Sequence, residues 1–105
     1  MSIWIKDKTV LITGATGGIG SEIANLISSL GAHVVITGTK EERLKELSKK
    51  LVSNNTYIAS NLNNTKNIDM LNNELDKKKL EIDVLINNAG ITADNLFLRM
   101  KEDEW

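Results

Sequence analysis

Apolar residues along the chain follow two alternating rhythms. Thr9-Val10-Leu11-Ile12-Thr13 is a short apolar and β-branched run, as a strand buried on both faces requires. After a glycine cluster, Ile19, Ile23, Ala24, Leu26, Ile27 and Leu30 recur at helical spacing, and Gly31 offers that helix a stop. His33-Val34-Val35-Ile36-Thr37 is a second run of the buried type, punctuated by Gly38-Thr39-Lys40. A second helix is predicted from Glu41. Its first turn holds Glu41 and Glu42, where the helix dipole favours acids, and its apolar stripe is Leu44, Leu47 and Leu51. Thr56-Tyr57-Ile58-Ala59 reads as a third strand. Thr65 is placed to cap a third helix with Ile68, Leu71 and Leu75 on one face. Ile82-Asp83-Val84-Leu85-Ile86 reads as a fourth strand, closed by the turn-forming cluster Asn87-Asn88-Ala89-Gly90. The order β-α-β-α-β-α-β with short connections predicts an α/β fold, a parallel sheet with helices on both faces.

The turn after the first strand carries the candidate chemistry. In Thr13-Gly14-Ala15-Thr16-Gly17-Gly18-Ile19-Gly20, Gly14 permits a tight exit from the strand and Gly18 leaves room for a pyrophosphate against the backbone. Gly20 lets the helix approach the sheet closely. N–H groups at the helix start then face the phosphates, helped by the dipole. The phosphate site is accordingly expected to span Gly14, Ala15, Thr16, Gly17, Gly18, Ile19 and Gly20. A ligand turn in this place, together with right-handed crossovers, sets a Rossmann-type strand order of 3-2-1-4. The first two helices should cover one sheet face and the third helix alone the other.

The glycine spacing Gly14-x-x-x-Gly18-x-Gly20 resembles the T-G-x-x-x-G-x-G signature of the short-chain dehydrogenase/reductase family, and Asn87-Asn88-Ala89-Gly90 resembles that family's N-N-A-G motif. The stretch from Asn87 through Arg99 and Met100 to Trp105 is narrower still, and is similar to the 3-oxoacyl-[acyl-carrier-protein] reductases of bacterial-type fatty-acid synthesis. The resemblance implies an oxidoreductase that uses NADP and reduces a 3-oxoacyl thioester on acyl carrier protein to the 3-hydroxy product. It also implies a cytoplasmic homotetramer built largely through the fourth and fifth helices. By the same resemblance, Asn61 and Leu62 line the adenine, and Asn88, Ala89, Gly90 and Ile91 line the ribose and nicotinamide side.

The end of the second strand bears on which nicotinamide cofactor is bound. An Asp or Glu there would accept from a ribose 2′-hydroxyl and repel a 2′-phosphate. Here the segment is Thr37-Gly38-Thr39-Lys40, without an acid. Thr39 offers a hydroxyl donor and Lys40 a cation, so NADP is expected over NAD. Many relatives also carry a basic residue inside the glycine turn, where this chain has Gly17.

Composition narrows the remaining classes. Thirteen Lys and Arg against 14 Asp and Glu give a net charge of −1, with no basic footprint for nucleic acid. No apolar run approaches the roughly 18 residues of a spanning helix. The absence of cysteine excludes disulfides and thiolate chemistry, and a single histidine, His33, excludes a multi-histidine metal site. His33 reads as a residue opening its strand, and Lys77-Lys78-Lys79 as a solvated helix end.

Reductases of the family use a Ser and a Tyr-x-x-x-Lys pair, with an Asn on the fourth helix. Tyr57, the one tyrosine, has Asn61 rather than Lys four residues on. No catalytic residue and no metal ligand is therefore assigned. Residues 1–105 are expected to be the cofactor-binding amino-terminal portion of a single-domain reductase, truncated before the fifth strand. Such a portion should be inactive alone and is not expected to form the tetramer. Two alternatives stay open: a non-catalytic nucleotide-binding module, and a fragment of another short-chain reductase.

Overall fold

The computed structural model describes residues 4–62 and 65–88. Seven elements follow one another: β1 (Thr9–Thr13), α1 (Gly18–Ser29), β2 (His33–Gly38), α2 (Glu41–Lys50), β3 (Asn55–Ala59), α3 (Thr65–Lys77) and β4 (Val84–Asn87). The strands form one parallel sheet in the order β3-β2-β1-β4, as expected. Leu11 lies between Val35 on β2 and Leu85 on β4, and Ile12 between Ile36 and Ile86.

Alternation along the strands divides the core in two. Val10, Ile12, Val34 and Ile36 point to the face covered by α1 and α2, where Ala24, Leu44, Leu47 and Leu51 meet them. Leu11 and Val35 point to the other face, where Ile68, Leu71 and Leu75 of α3 close over them. The central strands are thus covered on both sides, which is why they are continuously apolar.

The structure adjusts several expectations. Ile19 and Leu26 are exposed, at 70% and 59%, although helical spacing placed them on the apolar stripe of α1. At 3.6 residues per turn Leu26 stands about 200° round the helix from buried Ala24. The sheet-facing line is instead Gly20, Ala24 and Ser28, all buried. β3 begins one residue earlier than expected, and β2 runs on to Gly38. Thr65 is itself the first residue of α3. The fourth strand starts at Val84 rather than Ile82, because Asp83 is drawn into a clasp on β1. Its carboxylate accepts from the Thr9 N–H at 2.8 Å, and its own N–H donates to the Thr9 carbonyl at 2.9 Å. Ile82 makes only an isolated bridge, with its side chain buried under α3.

Gly31 ends α1 with φ +91°, a left-handed conformation suited to glycine, and its N–H donates to the Ser28 carbonyl at 3.0 Å. Ser28 also links α1 to the α2–β3 connection. Its hydroxyl accepts from the Ser53 N–H at 2.9 Å, while the Ser53 hydroxyl donates to the Ala32 carbonyl at 2.5 Å. These bonds lie at the amino-terminal ends of the strands, leaving the opposite ends for the glycine turn.

Candidate functional site

The site is built at the carboxyl ends of β1, β2 and β4, where an open parallel sheet presents its crevice. Gly14 leaves β1 with φ +62°, which an L side chain would strain. The Ala15 N–H donates to the Thr37 carbonyl at 3.0 Å, tying the turn to the end of β2. From the other side the Asn88 amide donates to the Gly14 carbonyl at 3.1 Å. The Thr13 hydroxyl donates to Asn87 Oδ1 at 3.0 Å. The turn is therefore held from both neighbouring strands.

Three glycines in it do different work. A Cβ at Gly20 would stand 2.2 Å from the Gly14 carbonyl oxygen, so this glycine permits the close approach of α1. A Cβ at Gly18 would meet nothing within 4 Å, so this glycine keeps open space above the turn. A Cβ at Gly17 would meet only the Gly14 oxygen, at 3.7 Å. Gly17 caps α1 without a side-chain bond, which leaves first-turn N–H groups directed into that space. The space above the turn is open, and its free backbone N–H groups have the chemistry to take an anion.

The other expected residues divide by position. Gly17, Gly18 and Ile19 are exposed on the turn, Thr16 is half-buried, and the Ala15 side chain is buried in the core, leaving only its backbone to a ligand. Thr39 and Asn61 line one cleft of about 300 Å³ beside β3, together with Ser60, Asn67 and Met70. Lys40 is exposed at the start of α2. Leu62 is 7% exposed and packs with Leu11, Val35 and Ile68, so its side chain belongs to the core. Asn88 gains a role that spacing did not reveal, since its amide holds the glycine turn. Ala89, Gly90 and Ile91 lie outside the described residues.

The model of the short chain dehydrogenase family matches residues 8–105. The chain belongs to the short chain dehydrogenase family. Over 101 residues it is 44% identical to the 3-oxoacyl-[acyl-carrier-protein] reductase FabG of Rickettsia bellii and 46% identical to that of Rickettsia felis. Each alignment covers 96% of this chain and 40% of the relative, so the chain spans about 40% of the length of the curated relatives it matches. Among solved structures it is similar to a metagenomic short-chain oxidoreductase in complex with NADP. There the TM-score is 0.76 and the identity 31%, covering 86% of this chain and 42% of that one.

Tyr57 is half-buried on β3 and packs against the α1–α2 face. His33 lies at the opposite end of β2, with Nε2 3.1 Å from the Thr56 hydroxyl, and burial pushes its pKa below the usual 6.5. Among the described residues no cluster of three metal-ligating side chains occurs, and no helix is long and apolar enough to cross a membrane. A groove of about 320 Å³ between α1 and α2, lined by Thr16, Ser21, Arg43, Glu46, Leu47 and Lys50, escaped sequence reasoning, since no spacing rule brings Thr16 beside Arg43.

Proposed function

We propose that this chain binds an NADP-type dinucleotide across its glycine turn and forms the cofactor-binding portion of a 3-oxoacyl-[acyl-carrier-protein] reductase. The observation that carries the reading is the open space at Gly18 above a turn anchored by Thr37 and Asn88. The likeness to reductases named for this reaction supports the substrate class. Gly14 to Gly20 hold the phosphates, with Thr39 and Asn61 toward the adenosine end and Asn88 beside the turn. The bound cofactor supplies a hydride to the substrate carbonyl carbon. The proton donor and carbonyl-polarising residues of such a reductase are not among the 105 residues, for Tyr57 is not followed by a lysine at the required place. The acyl-carrier-protein thioester and a homotetramer are partners of a whole reductase in this reading.

The test has two parts. The chain should bind NADPH in a fluorescence titration, and more tightly than NADH. Alone, it should not oxidise NADPH with an acetoacetyl thioester above buffer background, because the acid–base groups are absent. Continued by the remainder of the Rickettsia bellii reductase, it should turn that thioester over. A second reading is a nucleotide-binding module without catalysis. A chimera that binds NADPH yet stays inactive supports that second reading, whereas loss of all dinucleotide binding overturns both.

A further inference from the structure

The end of the sheet where the strands begin, opposite the glycine turn, gathers lysine. Lys6 and Lys8 lie on the segment that enters β1. Helices that connect parallel strands run back against them, so α2 and α3 also end here. Lys49 and Lys50 close α2, and Lys77 closes α3, followed by Lys78 and Lys79 before β4. Five acids share this end with the seven lysines, Asp7, Glu74, Asp76, Glu81 and Asp83, in a chain whose net charge is −1. Asp83 is 6% exposed and held in the Thr9 clasp, and Glu74 pairs with Lys77 at 3.9 Å. Among the described residues the other six lysines make no ion pair. All but the half-buried Lys8 are exposed.

Helix dipoles account for Lys49, Lys50 and Lys77, which sit at helix carboxyl ends. They do not account for Lys6 and Lys8, or for Lys79, which lies beyond α3 with φ +57°. Nor do they account for large apolar side chains at the same end. Trp4 is 64% exposed and Val52 79%. Their chain neighbours Ile5 and Leu51 are buried in one core cluster with Ala32. The Asp7 N–H donates to the Gly31 carbonyl at 3.2 Å and the Ser53 N–H to the Ser28 hydroxyl at 2.9 Å, so both segments are fastened to the end of α1. We infer that this end docks on an anionic phospholipid bilayer, with Trp4 and Val52 at the headgroup level and the lysines over the charged lipids. An exposed Trp and an exposed aliphatic residue beside Lys suit that interface, since the apolar parts leave water while the cations keep it. The cations are all lysine. Point charges on flexible stems match a diffuse negative surface, whereas defined recognition of one phosphate favours arginine. A single Trp gives no stacking platform for nucleic acid. Docked in this way the chain lies on the bilayer without crossing it, and the glycine turn, a strand length or roughly 15 Å away, still faces water. The inference is independent of the dinucleotide reading.

Partition into vesicles tests it, with Trp105→Phe as the parent so that Trp4 alone reports. The chain should cosediment with vesicles of phosphatidylcholine and phosphatidylglycerol in equal parts, and not with phosphatidylcholine alone. Trp4 emission should shift to the blue on binding, and binding should fall as salt is raised. Lys78→Gln combined with Lys79→Gln should weaken partition by roughly 10- to 25-fold, at about 3- to 5-fold for each lysine. Trp4→Ser should weaken it too and leave the salt dependence in place. Lys66→Gln, the same charge change at the far end of α3, should leave partition within about twofold of the parent's. Circular dichroism checks that each variant is folded. Absence of vesicle binding by the parent, or equal partition into both vesicle types, overturns the inference. So does a Lys78→Gln, Lys79→Gln chain that keeps the parent's affinity. Retention on heparin without vesicle binding or a Trp4 shift also overturns it, in favour of an acidic macromolecule.

Discussion

Gly20 is where one added methyl group probes the packing of the whole site. The Cβ of an alanine there would lie 2.2 Å from the Gly14 carbonyl oxygen, 2.9 Å from the Ala15 Cα and 2.9 Å from the Asn88 amide nitrogen. Two of these obstacles are backbone of a turn fastened to β2 through Ala15 and Thr37, so they yield little. Non-bonded atoms settle near roughly 3.5 Å, so relief needs a displacement of α1 on the order of 1 Å. Overpacking of this kind costs roughly 1–3 kcal/mol, with rigid surroundings at the upper end. The bond from Asn88 to the same carbonyl is lost with it, roughly a further 1 kcal/mol. Alanine's better helix propensity offsets about 1 kcal/mol. The steric side wins, and Gly20→Ala should destabilise the chain by about 2–3 kcal/mol. Urea unfolding followed by far-ultraviolet circular dichroism reads this as a midpoint lowered by about 1–2 M. Gly18→Ala is the matched control, since its Cβ meets nothing, and its stability should stay within about 0.5 kcal/mol of the parent. A Gly20→Ala midpoint equal to the parent's, or equal losses in the two variants, would refute the reasoning.

Gly18→Val should leave the unfolding midpoint near the parent's but abolish NADPH binding in calorimetry, because the branched side chain fills the open space above the turn; undiminished binding would remove Gly18 from the site. Stability should also fall on mild acidification through His33. Burial holds the folded-state pKa of this residue below 6.5, so the unfolded chain takes up the proton first as the pH drops. The contribution is complete above about pH 6.5 and is lost as the pH falls through the lower folded value. Urea midpoints measured between about pH 7.5 and 5.5 should therefore decline less in His33→Gln than in the parent, and identical slopes would contradict the assignment.

Much of this architecture was legible from local pattern alone. The β1 run Val10-Leu11-Ile12 is apolar without interruption because both sheet faces are covered, and such a run is readable without knowing what covers it. The glycine turn is legible for a similar reason. Positive φ at Gly14, absence of a side chain at Gly20 and clearance at Gly18 are demands on single positions, met by a single residue type. The strand order follows from that turn and the handedness of crossovers. What only the tertiary structure decided are the choices among partners distant in the chain. Asp83 had an apolar run around it, yet the unpaired Thr9 N–H at the start of β1 drew its carboxylate and moved the start of β4. Leu62 stood in a motif position for a ligand, yet α3 closed over it and buried it with Leu11 and Val35. Asn88 and Gly14 are 74 residues apart, and only the pairing of β4 with β1 brings amide and carbonyl together. Arg43 reads as one more charge on a polar helix face until the packing of α2 beside α1 sets it across the groove from Thr16. A periodic pattern specifies which face a residue takes, but the neighbour it meets there is set by how separate elements stack, and that information is distributed over the whole chain.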